Sequence, residues 1–170
     1  MSTSVHRAHR FKNLLQWTVT IILILGVYLW QTRDLLDSGE AIEQHQLPTL
    51  GGGTATLLAD NKPSLIYFFV PWCQICSLSI GNLEQFDADE IAVKAVALDY
   101  ASVEAVQDFV DEHKVRAEVL LGHQALKQAF RLRGYPTYYI VDSQGEIQAS
   151  DMGYSSSVGM AVRHWLATGR

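Results

Sequence analysis

Leu65-Ile66-Tyr67-Phe68-Phe69-Val70 is an unbroken apolar run that leads directly into Pro71-Trp72-Cys73-Gln74-Ile75-Cys76, and a helix-compatible stretch follows from Ser77 to Phe86. The run has the length and content of a buried strand. The chain therefore places a C-x-x-C pair where a strand gives way to a helix. At such a junction the first sulfur meets unpaired backbone N–H groups, which favour its thiolate. The second lies one turn further in, within reach of a mixed disulfide formed on the first. Cys73 and Cys76 are the only cysteines, so the pair serves redox chemistry or a metal and is not part of a disulfide framework.

A second constraint lies near the N-terminus. Residues 14–30, LLQWTVTIILILGVYLW, carry no charge. As a helix this run is about 26 Å long, a little short of a hydrocarbon core of roughly 30 Å. Lys12 and Arg33 stand ready to snorkel at its two ends. No A-x-A-like site follows Trp30 closely, and Trp17, Tyr28 and Trp30 suit an aromatic belt, so a retained anchor is expected rather than a cleaved signal peptide. Arg7, Arg10 and Lys12 precede the run without any acidic residue, while Asp34, Asp37, Glu40 and Glu43 follow it. The positive-inside rule then leaves residues 1–13 in the cytoplasm and exports everything after Trp30.

Of the chain's 13 basic residues, 10 lie after Trp30, with all 18 acidic ones. An exported part near −8 argues against nucleic acid as a partner, since phosphate binding calls for a basic patch. Residues 31–45 are polar and charged and are expected to tether residues 46–170, a single domain. Short strands are expected at 47–50 and 54–57, then a strand at 64–70, a helix from 77 to about 87 and a strand at 91–98. Ser102 is a candidate cap for a helix over 103–114, whose buried face is supplied by Val103, Val106, Phe109 and Val110. A strand at 119–121, a helix at 125–132, a hairpin at 137–141 and 146–149, and a last helix from 156 to 167 ending at Gly169 complete an α/β sandwich with a mixed sheet. Gly51-Gly52-Gly53 is a hairpin turn and not a phosphate loop, because no Lys-Ser/Thr follows.

Trp72-Cys73-Gln74-Ile75-Cys76, Gly134-Tyr135-Pro136-Thr137 ahead of a strand, and the Asp142-Ser143-Gln144-Gly145 turn together resemble the thioredoxin superfamily. Within it, residues 46–170 are similar to the membrane-anchored TlpA/ResA/DsbE-like proteins, including the suppressor-of-copper-sensitivity thioredoxins. Sixty positions separate Cys76 from Pro136, which matches the strand–helix insert of the TlpA-like branch. The resemblance implies a thioredoxin-like fold behind one transmembrane helix, and an extracytoplasmic thiol–disulfide oxidoreductase at a bacterial inner membrane that exchanges disulfides with protein partners, as a reductant recharged by a membrane electron donor in preference to an oxidant. It implies that Cys73 attacks, that Cys76 resolves, that Pro136 is a cis-proline, and that Trp72, Tyr135 and Pro136 contact the substrate. No cofactor is implied.

The chain also departs from its relatives. Typical thioredoxins carry a buried aspartate where Tyr67 stands, and ResA-like proteins a glutamate where Ser79 stands. Glu84 and Asp99 are candidate substitutes, with solvated surface positions as the plainer reading. The competing function is a copper metallochaperone using Cys73, Cys76 and a histidine. His45, His113, His123 and His164 are the exported histidines, and surface positions are expected for them. No metal site is expected, since a structural zinc needs four protein ligands and no second close pair exists.

Overall fold

The computed structural model describes residues 3–32, 35–154 and 156–168. Arg33 and Gly169, and the side chains of Arg7, Arg10, Lys12, Leu14 and His164, lie outside that description. The chain divides into two compact units, residues 1–34 and 35–170.

The first unit is one helix, α1 (Thr3–Thr32), which contains the uncharged run. The large apolar side chains described along it, from Leu15 to Trp30, are exposed. Among the described residues no helix is long and apolar enough to cross a membrane, and Leu14, the first residue of the run, contributes no described side chain.

The second unit is built on strands β3 (Ser64–Phe69), β4 (Ala92–Ala97), β5 (Glu118–Leu121), β6 (Thr137–Val141) and β7 (Ile147–Met152), in the order β5-β4-β3-β6-β7. β3 runs parallel to β4, as does β4 to β5, while β6 is antiparallel to both β3 and β7. The sheet is therefore mixed, as its alternating strands and helices and closing hairpin suggest. β3 is central, and all six of its residues are buried, which is why the sequence there is continuously apolar rather than alternating. Its even-numbered residues Ile66 and Phe68 pack with Leu126 and Phe130 on one face. Its odd-numbered residues Leu65, Tyr67 and Phe69 pack on the other with Cys76, Ile80, Val106, Phe109 and Met160.

The first face is covered by α4 (Gln124–Ala129) and by a small hairpin of β1 (Gln46–Pro48) and β2 (Thr54–Thr56). The second is covered by α2 (Gln74–Ser79), α3 (Val103–Glu112) and α5 (Ser157–Thr168). Ser102 caps α3, its hydroxyl accepting the Ala105 N–H. Val106 and Phe109 are buried, but Val103, expected on the same face, is exposed. β4, α3, β5 and α4 fill the interval between Cys76 and Pro136.

Two expectations need correction. The helix expected over 77–87 starts at Gln74 and passes at Ile80 into a 3-10 segment, Ile80–Gln85. Ser79 Oγ donates back to the Ile75 carbonyl at 2.8 Å, a local bond that competes with the regular ladder, and Gly81 follows in the weakened turn. Residues 35–45 are not a free tether. Leu35 and Leu36 are buried, Gly39 N–H donates to Ile147 O at 2.8 Å, Ile147 N–H to Glu40 O at 2.9 Å and Ile42 N–H to Gly145 O at 2.9 Å. Glu40 also takes both arms of Arg131, at 3.1 and 3.0 Å. Main-chain bonds and two leucines hold this segment, which is why its polar composition conceals it.

Candidate active site

β3 ends at Phe69, and the chain turns through Val70, Pro71 and Trp72 into α2. Cys73 N–H donates to Val70 O at 3.1 Å, which closes this turn. Cys73 is the N-cap of α2, with extended backbone, and its Sγ accepts the Cys76 N–H at 3.1 Å. The sulfur thus occupies the place usually taken by a capping oxygen, where it satisfies an orphan donor of the first turn. Negative charge on Cys73 strengthens that bond.

The two thiols are unlinked and differ in environment. Cys73 is half-buried, whereas Cys76 is closed to water. Burial pushes the Cys76 thiol far above its usual range, and its hydrogen bond and proximity to Cys73 act in the same direction. The first thiol can therefore meet a partner while the second stays protonated and shielded until a disulfide is presented to it.

Tyr135 and Pro136 face this pair across the site. The Tyr135–Pro136 peptide is cis, and the Cys73 thiol donates to the Tyr135 carbonyl at 3.7 Å. Residues 62 positions apart are thus brought together. Trp72 is 69% exposed, so it is a surface group beside the sulfur and not core. Ile75 and Leu78 on α2 are exposed as well. Of the other tyrosines near the motif, Tyr138 and Tyr139 are buried, on opposite faces of the sheet.

The candidate substitutes for a family carboxylate behave differently from each other. Glu84 pairs with Arg116 at 3.7 Å at the surface. Asp99 is exposed, as expected of a solvated position, and is also tied into the site: its carboxylate accepts from Lys127 and, at 3.0 Å, from the Tyr135 hydroxyl, and its main-chain carbonyl accepts the Trp72 indole N–H at 3.0 Å. Hydrogen bonding from Lys127 and Tyr135 holds this carboxyl below the usual carboxylate range. Sequence reading missed this role; the Asp at the end of an apolar strand, one level beyond the motif, was its only signal.

Among the described residues no three His, Cys, Asp or Glu side chains are grouped so as to hold a metal ion. His123 is the N-cap of α4, its Nδ1 accepting the Leu126 N–H at 3.3 Å. His113 ends α3 and packs edge-on against Phe109, and His45 lies against Phe130.

Comparison with known proteins places this geometry in context. Residues 38–150 match the model of the AhpC/TSA family. A thioredoxin-like protein of Bacillus subtilis, YneN, is 29% identical over 82% of this chain and 91% of its own length. The thiol:disulfide interchange protein TxlA homolog of Synechocystis is 28% identical over 85% of this chain and 68% of its own length. The crystal structure of a candidate thiol:disulfide interchange protein DsbE from Chlorobium tepidum superposes with a TM-score of 0.69 over 78% of this chain and 98% of its own, at 21% identity, a likeness of fold.

Proposed function

The chain belongs to the AhpC/TSA family and has the thioredoxin-like fold, and from that premise we propose that its Cys73–Cys76 dithiol reduces disulfides of protein partners on the far side of a bacterial inner membrane. It is a thiol–disulfide oxidoreductase of thioredoxin type. The observation that carries the reading is the unequal pair: a half-buried Cys73 that accepts a helix N–H at 3.1 Å, backed by a Cys76 closed to water.

The Cys73 thiolate attacks one sulfur of the partner's disulfide. That S–S bond breaks, and one partner thiolate leaves. Cys76 then gives up its proton and attacks Cys73 Sγ, which expels the second partner thiolate. The partner gains two electrons and ends as two thiols, while the motif ends as the Cys73–Cys76 disulfide. A membrane protein dithiol of lower potential returns the two electrons. A shielded Cys76 serves either direction of exchange, and the potential of the couple decides between them.

The membrane reading rests on the 17 uncharged residues inside α1 and on the basic residues that precede them. Retention of the full chain in the membrane after alkaline carbonate extraction tests it. For the direction, equilibration of the dithiol with glutathione is the test. A potential near thioredoxin's, roughly −270 mV, supports a reductant, and one near roughly −120 mV overturns it.

A further inference from the structure

Asp99 touches both halves of the site without touching either sulfur. It stands just past β4, after Leu98, whose N–H donates to Phe69 O at 2.9 Å and so sets it beside the turn into the dithiol. Its φ of +43° lies in the left-handed region, which aspartate tolerates better than most residues. In that conformation its carbonyl takes the Trp72 indole N–H at 3.0 Å, while its carboxylate takes the Tyr135 hydroxyl at 3.0 Å. Lys127, on α4, donates to the same carboxylate oxygen and lies 5.5 Å from the centre of the Tyr135 ring. Trp72 immediately precedes Cys73, and Tyr135 immediately precedes the cis Pro136 and presents its carbonyl to Cys73.

We propose that Asp99 is a positioning residue, whose carboxylate, clamped by Lys127, holds the Tyr135 phenol and thereby fixes the Tyr135 main chain beside Cys73, against which a partner's cysteine-bearing segment lies. The inference rests on the thiol–disulfide exchange assigned above and adds a determinant of how the partner is held. The bond from a phenol at the far end of the Tyr135 side chain immobilises a residue whose carbonyl meets the attacking sulfur. Without it the phenol is free to swing, and the segment must be ordered at each encounter, a cost that falls on binding and not on the sulfur chemistry.

The test compares insulin reduction by the full chain, kept in mild detergent, with that by Tyr135→Phe, Asp99→Gly and the double variant. Glycine is at ease at this φ, so Asp99→Gly keeps the carbonyl that holds Trp72 and removes only the carboxylate. Each single change is expected to raise KM about five-fold or more with kcat altered less than about two-fold, and the double is expected to be no worse than the larger single effect. Asp99→Asn, which keeps an acceptor oxygen for the phenol, is expected to recover most of the KM. Single effects that multiply in the double variant, or an unchanged KM in Tyr135→Phe, overturn the proposal while the exchange reading stands. A wild-type chain that reduces neither insulin nor dithiobis(nitrobenzoate) overturns both.

Discussion

The hydroxyls of Tyr67 and Ser79 lie 2.7 Å apart in a part of the core closed to water. Ser79 Oγ donates to the Ile75 carbonyl at 2.8 Å, so the Tyr67 O–H donates to Ser79. These are the two positions at which the resemblance to thioredoxins and to ResA-like proteins implies a carboxylate, and here the two departures satisfy one another. Burial lifts the Tyr67 phenol far above its ordinary range, with Cys76 and Cys73 adding to the effect. A neutral pair thus stands where an acid would otherwise accept the resolving thiol's proton.

Breaking this pair from one side should cost more than from the other. Ser79→Ala takes the acceptor from a buried phenol and is expected to lower stability by about 1–3 kcal/mol. Tyr67→Phe leaves Ser79 bonded to Ile75 and should cost about 1 kcal/mol or less. The double variant should cost less than the sum of the singles. Urea unfolding of all three checks the order, and a Tyr67→Phe loss larger than that of Ser79→Ala would contradict it.

Replacing the buried sulfur should trap the exchange midway. Cys76→Ser leaves Cys73 able to attack but removes the group that expels the partner. Mixed disulfides are therefore expected in membranes of the native host, visible as slower bands on non-reducing gels that collapse with dithiothreitol. Cys73→Ser should form none, because Cys76 is closed to water. Equal adducts from both variants would mean that the two sulfurs are not ordered as attacker and resolver.

Alkaline pH should unfold the chain before it ionises its buried tyrosines. Burial pushes the Tyr139 phenol up to about 12 and raises Tyr67 and Tyr135 further. In the unfolded chain tyrosines ionise near 10. A folded value above the unfolded one means that stability is whole below pH 10 and is lost as pH climbs through the folded values. Tyr139 alone should remove about 2 kcal/mol by pH 12. The last phase of the tyrosinate absorbance should rise together with the loss of near-UV circular dichroism; ionisation of all seven tyrosines near pH 10 with the fold intact would refute this.

A methyl group at residue 122 has nowhere to go. A Cβ there would sit 2.7 Å from Leu98 Cδ2, 2.9 Å from Val96 Cγ1 and 3.1 Å from the Ala97 carbonyl. Gly122→Ala is expected to destabilise by about 1–3 kcal/mol. Because Gly122 N–H also donates to Ala97 O at 2.9 Å, just before Leu98 and Asp99, the same change should weaken insulin reduction. Thermal unfolding and the KM measured together test whether strain at β5 reaches the site.

How legible all this is from sequence depends on the range of the interactions involved. The strand before Cys73, the Ser102 cap and the cis Pro136 are marked by local patterns and by a motif, and they stand where those patterns put them. Asp99 and His123 are not legible in the same way. Each is a polar residue whose role comes from partners brought by the fold: Tyr135 and Lys127 for Asp99, and the first turn of α4 for His123. β7 extends to Met152, past the expected 149, because Asp151, a poor strand residue by composition, is buried beside Arg163 at 2.8 Å. Propensity yields there to a tertiary ion pair.

The segment from Leu35 to Leu50 has one more consequence. Its early part lies along β7, where Ala41 bridges to Glu146, and its later part lies along β5, where Thr49 bridges to Leu120 and Leu50 N–H donates to Val119 O at 2.9 Å. β7 and β5 are the two rims of the sheet. A rim of unpaired N–H and C=O groups is a template for stacking another copy of the same protein. One stretch of chain thus acts as a selvedge for both sides of the sheet, and a fragment begun at residue 46 would keep the dithiol yet expose β7 to self-association.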